Sequence, residues 1–241
     1  MDSIFNTKFQ GFIHRGDATN FTENTMEAFK EARAIGYKHI ETDLRQTKDG
    51  KIITFHDPNL SRITGSNSKI QNTKLSEIRM RRLPKKEFIP TIDDLLEEFP
   101  DTYFNFDLKV SGMTEKVLTK IKNHRAVDRI CLGSFNSNTI REIQSLNSQI
   151  NTSMGRSQLI GYRFFNKKNN CTAVQMPLNY LGLEVCTKDF VTKCHQDNIK
   201  VNVWTINDEQ TMRKLIDIGV DGIMSDNAQL LMSIMKEKDL I

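Results

Sequence analysis

The segment IETDLRQTKDGKIITFHDP, residues 40–58, joins two strand-like apolar runs through a turn that contains glycine. The turn TKDGK is typical of a β-hairpin, so the two runs are predicted to pair in antiparallel orientation. Centring the turn on Asp49 places Asp43 opposite Phe55. His56 then returns to the acidic residues of the first run, although it is distant from them in sequence. The segment therefore predicts polar side chains gathered inside a pair of buried strands.

Outside the hairpin, apolar runs of strand length alternate with segments of helical period. The runs are FQGFIH, HIETDL, FNFDLK, ICLGSF, INTSMG, AVQMP, KVNVWTI and DGIMSD, with IITFHD as the return strand of the hairpin. Strands that alternate with helices are typical of a parallel sheet. When the return strand is set aside, eight strands remain. The predicted fold class is therefore α/β, a (β/α)8 TIM barrel, in which functional residues lie at the carboxyl ends of the strands.

Two helices carry start and stop signals. The run NTMEAFKEARAIG has Asn24 as its predicted N-cap, Glu27 three residues later, and Gly36 as its stop. The run NDEQTMRKLIDIG has the same form, from Asn207 to Gly219. A strand that ends in an acid follows each of them, YKHIETD in one case and VDGIMSD in the other. This indicates one recurring helix-to-strand unit of a barrel.

The length of 241 residues suits one TIM barrel. We therefore predict a single domain over residues 1–241. Residues 58–90 interrupt the alternation with a polar segment that contains one possible short helix near Leu75. This segment follows the hairpin of the second strand, and we predict that it is a small insertion over the mouth of the barrel.

Composition limits the function classes. A formal net charge of +4 and a pI near 8.8 are too small to indicate nucleic-acid binding, but they favour an anionic small-molecule substrate. No stretch approaches the roughly 20 apolar residues of a membrane span, and Asp2 lies where a signal peptide carries positive charge. The cysteines form no C-x-x-C pair and no zinc spacing, which favours reduced, partly buried thiols. They are Cys131, Cys171, Cys186 and Cys194. We expect a cytoplasmic protein without a stable membrane anchor; no pattern indicates an oligomeric state.

Three acids are predicted to converge on the barrel axis. Glu41 and Asp43 share one face because alternate residues of a strand point the same way, and Asp107 lies near the end of another strand. Any one acid alone is better explained by a local salt bridge. Together with His56, which the hairpin returns beside Glu41 and Asp43, they favour a site. Converging carboxylates repel one another unless a cation compensates, and oxygen ligands suit Mg²⁺ or Ca²⁺. We therefore predict one divalent cation.

The run IHRGD places His14 and Arg15 side by side at the end of the first strand. A guanidinium fork suits phosphate oxygens, and histidine exchanges protons near neutral pH. His14 and His56 on opposite sides of a metal-bound phosphate can supply the acid and the base of phosphodiester cleavage. Trp204, near the end of a late strand, can pack its face against a small polyol, with core packing as the alternative.

These residues resemble the glycerophosphodiester phosphodiesterase family over almost the whole chain. The matching stretches are HRGDATNFTENTMEAF, IETDLRQTKDGKIITFHD, IPTIDDLL, FNFDLK, VNVWTIND and GVDGIMSD. The most specific part is the combination of HRG, ENT, E-x-D and HD within the first 57 residues. The resemblance implies a TIM barrel with a small insertion, a divalent metal, and hydrolysis of glycerophosphodiesters to glycerol 3-phosphate and an alcohol.

Residue by residue, the resemblance implies roles for the matching positions. They are His14 and His56 as the acid/base pair, Glu41 and Asp43 as metal ligands, Arg15 as a phosphate binder and Lys109 as a second phosphate contact. Asp107 stands where the family usually carries Glu, so the resemblance leaves direct ligation and ligation through water both open. The ending SDNAQLL departs from the usual T-D-x-P form, and Thr22 stands where a proline often precedes ENT. Both departures concern loop geometry.

Several alternatives stay open at this point. The first nucleophile is either water or the neighbouring glycerol hydroxyl of the substrate, and the same histidines serve both routes. A lysophospholipase D that acts on lipid headgroups is a second hypothesis. A barrel that binds anionic metabolites without turnover is a third, because fold alone does not give function.

Overall fold

The structure, a computed structural model, describes residues 3–81, 83 and 87–241. The strands in this part of the chain are β1 (Gln10–His14), β2 (His39–Gln46), β3 (Ile52–Thr54), β4 (Tyr103–Leu108), β5 (Ile130–Gly133), β6 (Asn151–Thr152), β7 (Ala173–Pro177), β8 (Asn179–Tyr180), β9 (Leu183–Glu184), β10 (Lys200–Trp204) and β11 (Gly222–Ser225). Every predicted strand run therefore contains an observed strand.

Eight of these strands pair side by side in parallel, in the order β6-β5-β4-β2-β1-β11-β10-β7. The two ends of this order meet at an isolated parallel bridge between Ser153 and Ala173. There the amide of Met154 donates to the carbonyl of Ala173 over 3.0 Å. The sheet is a nearly closed barrel, and the predicted (β/α)8 TIM barrel is confirmed.

Helices connect the strands on the outside of the barrel. In the described residues they are α1 (Met26–Ile35), α2 (Ser61–Thr64), α3 (Leu75–Arg79), α4 (Ile92–Glu98), α5 (Thr114–Asn123), α6 (Ser137–Leu146), α7 (Arg156–Phe165), α8 (Lys188–Gln196), α9 (Glu209–Asp217) and α10 (Ala228–Glu237). Helix α1 ends at Gly36 with φ 113°, as predicted. Its N-cap is Thr25, whose hydroxyl accepts from the amide of Ala28. The prediction of Asn24 as the cap is wrong, because Asn24 has a left-handed backbone with φ 59°.

Helix α9 also starts one residue later than predicted. Its N-cap is Asp208, whose carboxylate accepts from the amide of Thr211 over 2.9 Å. Asn207, the predicted start, donates from its side chain to Asp226 instead. In both helices the N-cap is therefore the residue that follows the predicted asparagine.

The barrel strands bury apolar side chains toward the helices, and near their carboxyl ends they direct polar side chains toward the axis. Ile40 and Leu44 alternate with the acids of β2 and are fully buried in the main hydrophobic core. Phe104 and Phe106 of β4 stack with their ring centres 5.2 Å apart in the same core. Burial of each such side chain contributes about 1.5–3 kcal/mol. This core fixes the strands, and the strands fix the polar groups at their ends.

Ile4 and Phe5, near the amino terminus, fill the end of the barrel at which the strands begin. Ile4 is fully buried, and its amide donates to the carbonyl of Asp128 over 3.0 Å. Ile4 and Phe5 pack against apolar side chains of the barrel interior, including Phe12 and Met224. The barrel is thus closed by side chains at its amino-terminal end and is polar at its carboxyl-terminal end.

The predicted hairpin is confirmed in its register. Strand β3 pairs antiparallel with β2, with Leu44 opposite Thr54, and the amide of Phe55 donates to the carbonyl of Asp43 over 2.9 Å. The insertion at residues 58–90 contains α2 and α3, so the short helix predicted near Leu75 is also confirmed. Residues 82 and 84–86 of this insertion lie outside the described residues.

The insertion has a small hydrophobic cluster of its own. Its members are Ile53, Phe55, Leu60, Ile70, Leu75, Ile78, Leu83 and Ile89. This cluster is separate from the main core, and its first two residues belong to the hairpin and the segment that follows it. The insertion is thus built directly onto the return strand, next to the carboxyl ends of the barrel strands.

A second hairpin follows β7 and exposes apolar side chains. Strands β8 and β9 pair antiparallel through a turn in which Leu181 has φ 51° and Gly182 has φ 78°. Leu181 is 85% exposed and Leu183 is 71% exposed, and Tyr180 beside them is half exposed. Because this hairpin follows the carboxyl end of a barrel strand, it lies on the rim of the polar end.

No helix in the residues that the structure describes is long and apolar enough to cross a membrane. The four cysteines are free and buried, in agreement with the prediction of unpaired thiols.

Candidate active site

The three predicted acids lie on two neighbouring strands at the polar end of the barrel. In the parallel register of β2 and β4, Glu41 lies beside Asn105 and Asp43 beside Asp107. Glu41 and Asp43 are buried, and the side chain of Asp107 is 14% exposed. The alternation of the strand directs all three toward the barrel axis, as the sequence predicts.

Asp43 is surrounded by two cationic side chains and one amide donor. Lys109 Nζ lies 2.8 Å from Asp43 Oδ1, and Arg15 Nε lies 3.1 Å from Asp43 Oδ2. Asn24 Nδ2 donates to Asp43 Oδ2 over 2.9 Å. Burial alone raises the pKa of the Asp43 carboxyl, but Lys109 and Arg15 outweigh it, so the pKa lies below its usual value. Asp43 is therefore the firmly ionised member of the group.

Glu41 has the opposite environment. Its Oε2 is buried without a hydrogen-bond partner and lies 3.7 Å from His14 Nε2. Burial, with added repulsion from Asp43, raises the pKa of the Glu41 carboxyl well above its usual range. A buried carboxylate oxygen without a donor is costly, and a bound cation satisfies it.

Asp107 is held by its neighbour on the same strand face. Lys109 Nζ lies 2.5 Å from Asp107 Oδ2, so its ammonium bridges Asp107 and Asp43. Burial raises the pKa of Asp107, and Lys109 offsets part of this effect. The pKa of Lys109 is raised because its two carboxylate partners outweigh its burial.

The residues fit a hard divalent cation by donor type. Among the described residues, no three His, Cys, Asp or Glu side chains stand in an arrangement that already ligates an ion. However, the predicted ligands Glu41, Asp43 and Asp107 supply carboxylate oxygens only, as Mg²⁺ and Ca²⁺ prefer. The unpartnered oxygen of Glu41 is the structural observation that favours a cation here.

His14 is held by a carboxylate that the sequence interpretation missed. His14 Nδ1 lies 2.6 Å from Asp226 Oδ1, and Asn207 Nδ2 donates to Asp226 Oδ2 over 2.8 Å. Because an ionised carboxylate only accepts, Nδ1 of His14 carries the hydrogen, and Nε2 faces Glu41. Burial lowers the pKa of His14, but Glu41 and Asp226 together outweigh it and raise the pKa.

His56 has a carboxylate partner of its own. Its Nδ1 lies 2.7 Å from Asp57 Oδ1. In the part of the chain that the structure describes, His56 makes no hydrogen bond or ion pair with Glu41 or Asp43, although the hairpin register is as predicted. A charge on His56 lowers the pKa of Asp107.

Arg15 lies in a tight turn at the end of β1. Its backbone is left-handed with φ 63°, and its amide donates to the carbonyl of Glu41 over 2.9 Å. The next residue, Gly16, has φ 79°, and a Cβ there would lie 2.8 Å from the backbone of Ala28. Glycine is therefore required at this position. The turn directs the Arg15 side chain to Asp43 and to Glu23, whose Oε1 accepts from Arg15 NH1 over 3.0 Å.

Two aromatic rings lie at the rim. Trp204, half-buried, meets Phe135 edge to face with the ring centres 5.9 Å apart. Phe135 is 53% exposed and was not predicted as a site residue. Lys109 Nζ lies 5.8 Å and the Arg156 guanidinium 5.6 Å from the centre of the Phe135 ring. The position of Phe135 just after β5 is the signal that could have indicated it.

The model of the glycerophosphoryl diester phosphodiesterase family matches residues 14–230 of the chain. The matched region begins at His14 and ends after Asp226, so it includes both residues of that pair. It also covers the acids, His56 and the insertion.

Individual proteins are similar over nearly the same span. A Mycobacterium tuberculosis protein named "Probable glycerophosphodiester phosphodiesterase 2" is 30% identical over 92% of this chain and 89% of its own length. A lysophospholipase D from Mus musculus is 28% identical over 88% of this chain and 82% of its own. The solved structure of an Oleispira antarctica phosphodiesterase in complex with the product sn-glycerol-3-phosphate superposes with a TM-score of 0.81 at 24% identity, over 94% of this chain and 96% of that chain.

Proposed function

The chain belongs to the glycerophosphoryl diester phosphodiesterase family, and from that premise we propose how it hydrolyses glycerophosphodiesters to glycerol 3-phosphate and an alcohol. The observation that carries the proposal is the pair of histidines at the polar end of the barrel, each held by its own carboxylate. His14 pairs with Asp226 at 2.6 Å and His56 with Asp57 at 2.7 Å. Both leave Nε2 as the atom that exchanges protons with the substrate.

The phosphate is bound by the cations around Asp43. Arg15 offers a planar fork of donors, and Lys109 adds a point charge between Asp43 and Asp107. Both side chains are largely buried, so the solvent screens their charge only weakly. Trp204 and Phe135 form the apolar rim against which the carbon atoms of the glycerol pack.

The two histidines divide the proton transfers. One accepts a proton from the attacking hydroxyl, and the other donates a proton to the departing alcohol oxygen. The raised pKa of His14 favours its protonated form, so we assign His14 as the donor and His56 as the acceptor. The attacking hydroxyl belongs either to water or to the glycerol of the substrate, and the second route gives a cyclic phosphate that is then hydrolysed.

Glu41, Asp43 and Asp107 would hold one divalent cation, Mg²⁺ or Ca²⁺. When bound, the cation supplies Lewis-acid stabilisation of the negative charge that develops on the phosphate oxygens. Independently of the cation, Arg15 and Lys109 orient the phosphate, and His14 and His56 move protons.

The proposal is tested by the release of glycerol 3-phosphate from glycerophosphocholine, glycerophosphoethanolamine and glycerophosphoglycerol. Protein stripped with chelator and then resupplied with Mg²⁺ or Ca²⁺ should show release that depends on the metal. His14→Ala and His56→Ala should each lower kcat by at least about a hundredfold. His195→Ala is the matched control, since His195 also pairs with an aspartate, Asp221, at 2.7 Å. Turnover in either active-site variant that equals the control would contradict the assignment.

Two further measurements refine the proposal. Incorporation of labelled oxygen from solvent without a trapped cyclic glycerophosphate would select water as the first nucleophile. Absence of turnover on all three substrates with either metal, together with tight ligand binding, would favour an anion-binding barrel.

A lysophospholipase D activity is the second candidate. The mouse relative carries that name, and the exposed leucines of the β8–β9 hairpin lie on the rim of the site. Activity restricted to micellar lysolipid, with none on the water-soluble diesters, would favour this candidate. The free, buried thiols support the proposal that the protein works in a reducing compartment such as the cytoplasm.

A further inference from the structure

One arginine of the insertion contacts two carboxylates of the site at once. Arg62, in α2, donates from Nε to Asp57 Oδ2 over 2.7 Å. Its other two nitrogens donate to the two carboxylate oxygens of Glu23 over 2.8 and 2.7 Å. All three nitrogens of the guanidinium are therefore used. Lysine, as a point charge, cannot reproduce this geometry.

Each of these two carboxylates also contacts a residue of the proposed mechanism. Asp57 Oδ1 holds His56 Nδ1 at 2.7 Å, and Glu23 Oε1 also accepts from Arg15 NH1 at 3.0 Å. A continuous chain of contacts thus runs from His56 through Asp57, Arg62 and Glu23 to Arg15. Its two ends are the proposed proton acceptor and the proposed phosphate binder.

We propose that Arg62 is a positioning residue for the reaction, through which the insertion fixes the orientation of His56 and Arg15 together. The proposal rests on the roles assigned to those two residues under the proposed function. Arg62 itself touches neither the acids of the metal site nor the two histidines; it acts through Asp57 and Glu23.

The burial of the partners distinguishes this cluster from an ordinary surface ion pair. The side chains of Glu23 and Asp57 are 17% and 21% exposed, whereas Arg62 is 46% exposed. An isolated exposed pair contributes little, but here one cation fixes two partly buried carboxylates in defined directions. Without Arg62, Glu23 would pair with Arg15 alone and draw it away from a phosphate. Asp57 would be free to rotate away from His56.

The charge of Arg62 also acts on His56. The charged groups that face His56 are Asp57, Arg62 beyond it, Asp107 of β4 and Arg45 of β2, whose Nε donates to the His56 carbonyl. Removal of the Arg62 cation leaves the negative charge of Asp57 uncompensated. Arg62→Lys keeps a positive charge at this position, whereas Arg62→Ala removes it.

The variants Arg62→Ala and Arg62→Lys test the proposal beside a matched control, Arg213→Ala. Arg213 makes the same pattern of contacts on the outer helix α9, with Nε on Glu209 at 2.8 Å and a fork on Glu237 at 2.7 and 2.6 Å. The measurements are kcat and KM against pH, thermal unfolding, and the imidazole nitrogen resonances of His56 in substrate-free protein.

We expect kcat/KM to fall at least about tenfold in both Arg62 variants, since small misplacements of catalytic groups are costly. Arg62→Ala should also shift the His56 resonances, and Arg213→Ala should not. Unchanged His56 resonances together with wild-type kcat/KM in Arg62→Ala would overturn the proposal. Equal losses in Arg62→Ala and Arg213→Ala would also overturn it, because they would indicate general destabilisation.

The design separates this proposal from the proposed function. If the wild-type protein released no glycerol 3-phosphate, the proposed function would fail. The His56 resonances would still decide whether Arg62 orients that side chain, because they are measured without substrate or turnover.

Discussion

Asn24 and Asn207, the two asparagines that the sequence predicted as helix caps, bind carboxylates of the site. Asn24 donates to Asp43 over 2.9 Å and Asn207 to Asp226 over 2.8 Å. In each case the next residue caps the helix. Where two cap-forming residues follow one another, the helical period does not decide which of them caps. The asparagine is then available for the site, and this is why both predictions fail by one position.

Asp226 is a second site residue whose role the sequence did not predict. Asp226 and His14 are 212 residues apart and meet because β11 and β1 are neighbours in the barrel. The recurring pattern of a strand that ends in an acid, which leads to Asp43, also leads to Asp226. The sequence therefore contains a signal for Asp226, at the end of the run DGIMSD.

The Asp226→Asn substitution should lower the pKa of His14. Asp226 stabilises the imidazolium through its charge and its hydrogen bond, so its neutralisation favours the neutral ring. The pH limb of kcat/KM that reports His14 should move to lower pH, and kcat/KM should fall about ten- to a hundredfold, the range found for carboxylates that orient metal-binding histidines. If His14 is the proton donor, the limb that moves is the alkaline one.

The control for this prediction is Asp217→Asn, which removes an exposed aspartate paired with Lys238 on the outer helices. The profile of the control should match that of the wild type. If neither limb of the kcat/KM profile against pH moves in Asp226→Asn, Asp226 does not set the protonation of His14.

At the scale of elements, the sequence predicted the strands well. Each barrel strand is a short apolar run between polar connections, and the hairpin register follows from the turn and the two-residue period. The β8–β9 hairpin was not predicted. Its turn places Leu181 at φ 51°, a conformation that favours Gly and Asn, so the local sequence gives no turn signal at that residue.

The N-cap of α1 offers a test at this scale. Thr25→Ala removes the hydroxyl that accepts from the Ala28 amide, and should lower the free energy of unfolding by about 1–2 kcal/mol, measured by chemical denaturation. Most of the turnover should remain, because Thr25 contacts none of the acids. Asn24→Ala should do the reverse, with a large loss of kcat/KM and a smaller loss of stability. A larger loss of stability in Asn24→Ala than in Thr25→Ala, with the larger loss of kcat/KM in Thr25→Ala, would indicate that Asn24 is the cap.

At the scale of the whole molecule, topology predicted that the acids converge, but not how their charges are balanced. Glu41, Asp43 and Asp107 meet because β2 and β4 are adjacent. The bridging position of Lys109 depends on side-chain rotamers, which strand patterns do not specify. The contact of His56 Nδ1 with Asp57 was missed for the same reason.

The filled amino-terminal end of the barrel predicts a stability effect far from the site. Ile4→Ala should lower the free energy of unfolding by about 2–5 kcal/mol, because it leaves a cavity beneath the strands. The melting temperature should fall by about 2–4 °C for each kcal/mol. Ile241→Ala, at a side chain that is 64% exposed, is the control and should have no effect. A wild-type melting temperature for Ile4→Ala would show that the segment does not close the barrel.

The isolated bridge between Ser153 and Ala173 is the place where the two ends of the single barrel sheet meet. Along the chain the barrel strands form two groups, a first group of five, from β6 to β1 in the sheet, and a second group of three, from β11 to β7. The chain passes from the first to the second along α7 and the largely exposed residues 166–170. A proteolytic nick there would cut no strand ladder. The two fragments would still share the β1–β11 edge, so they should reassociate into an intact barrel by fragment complementation. His14 would come from one fragment and its partner Asp226 from the other.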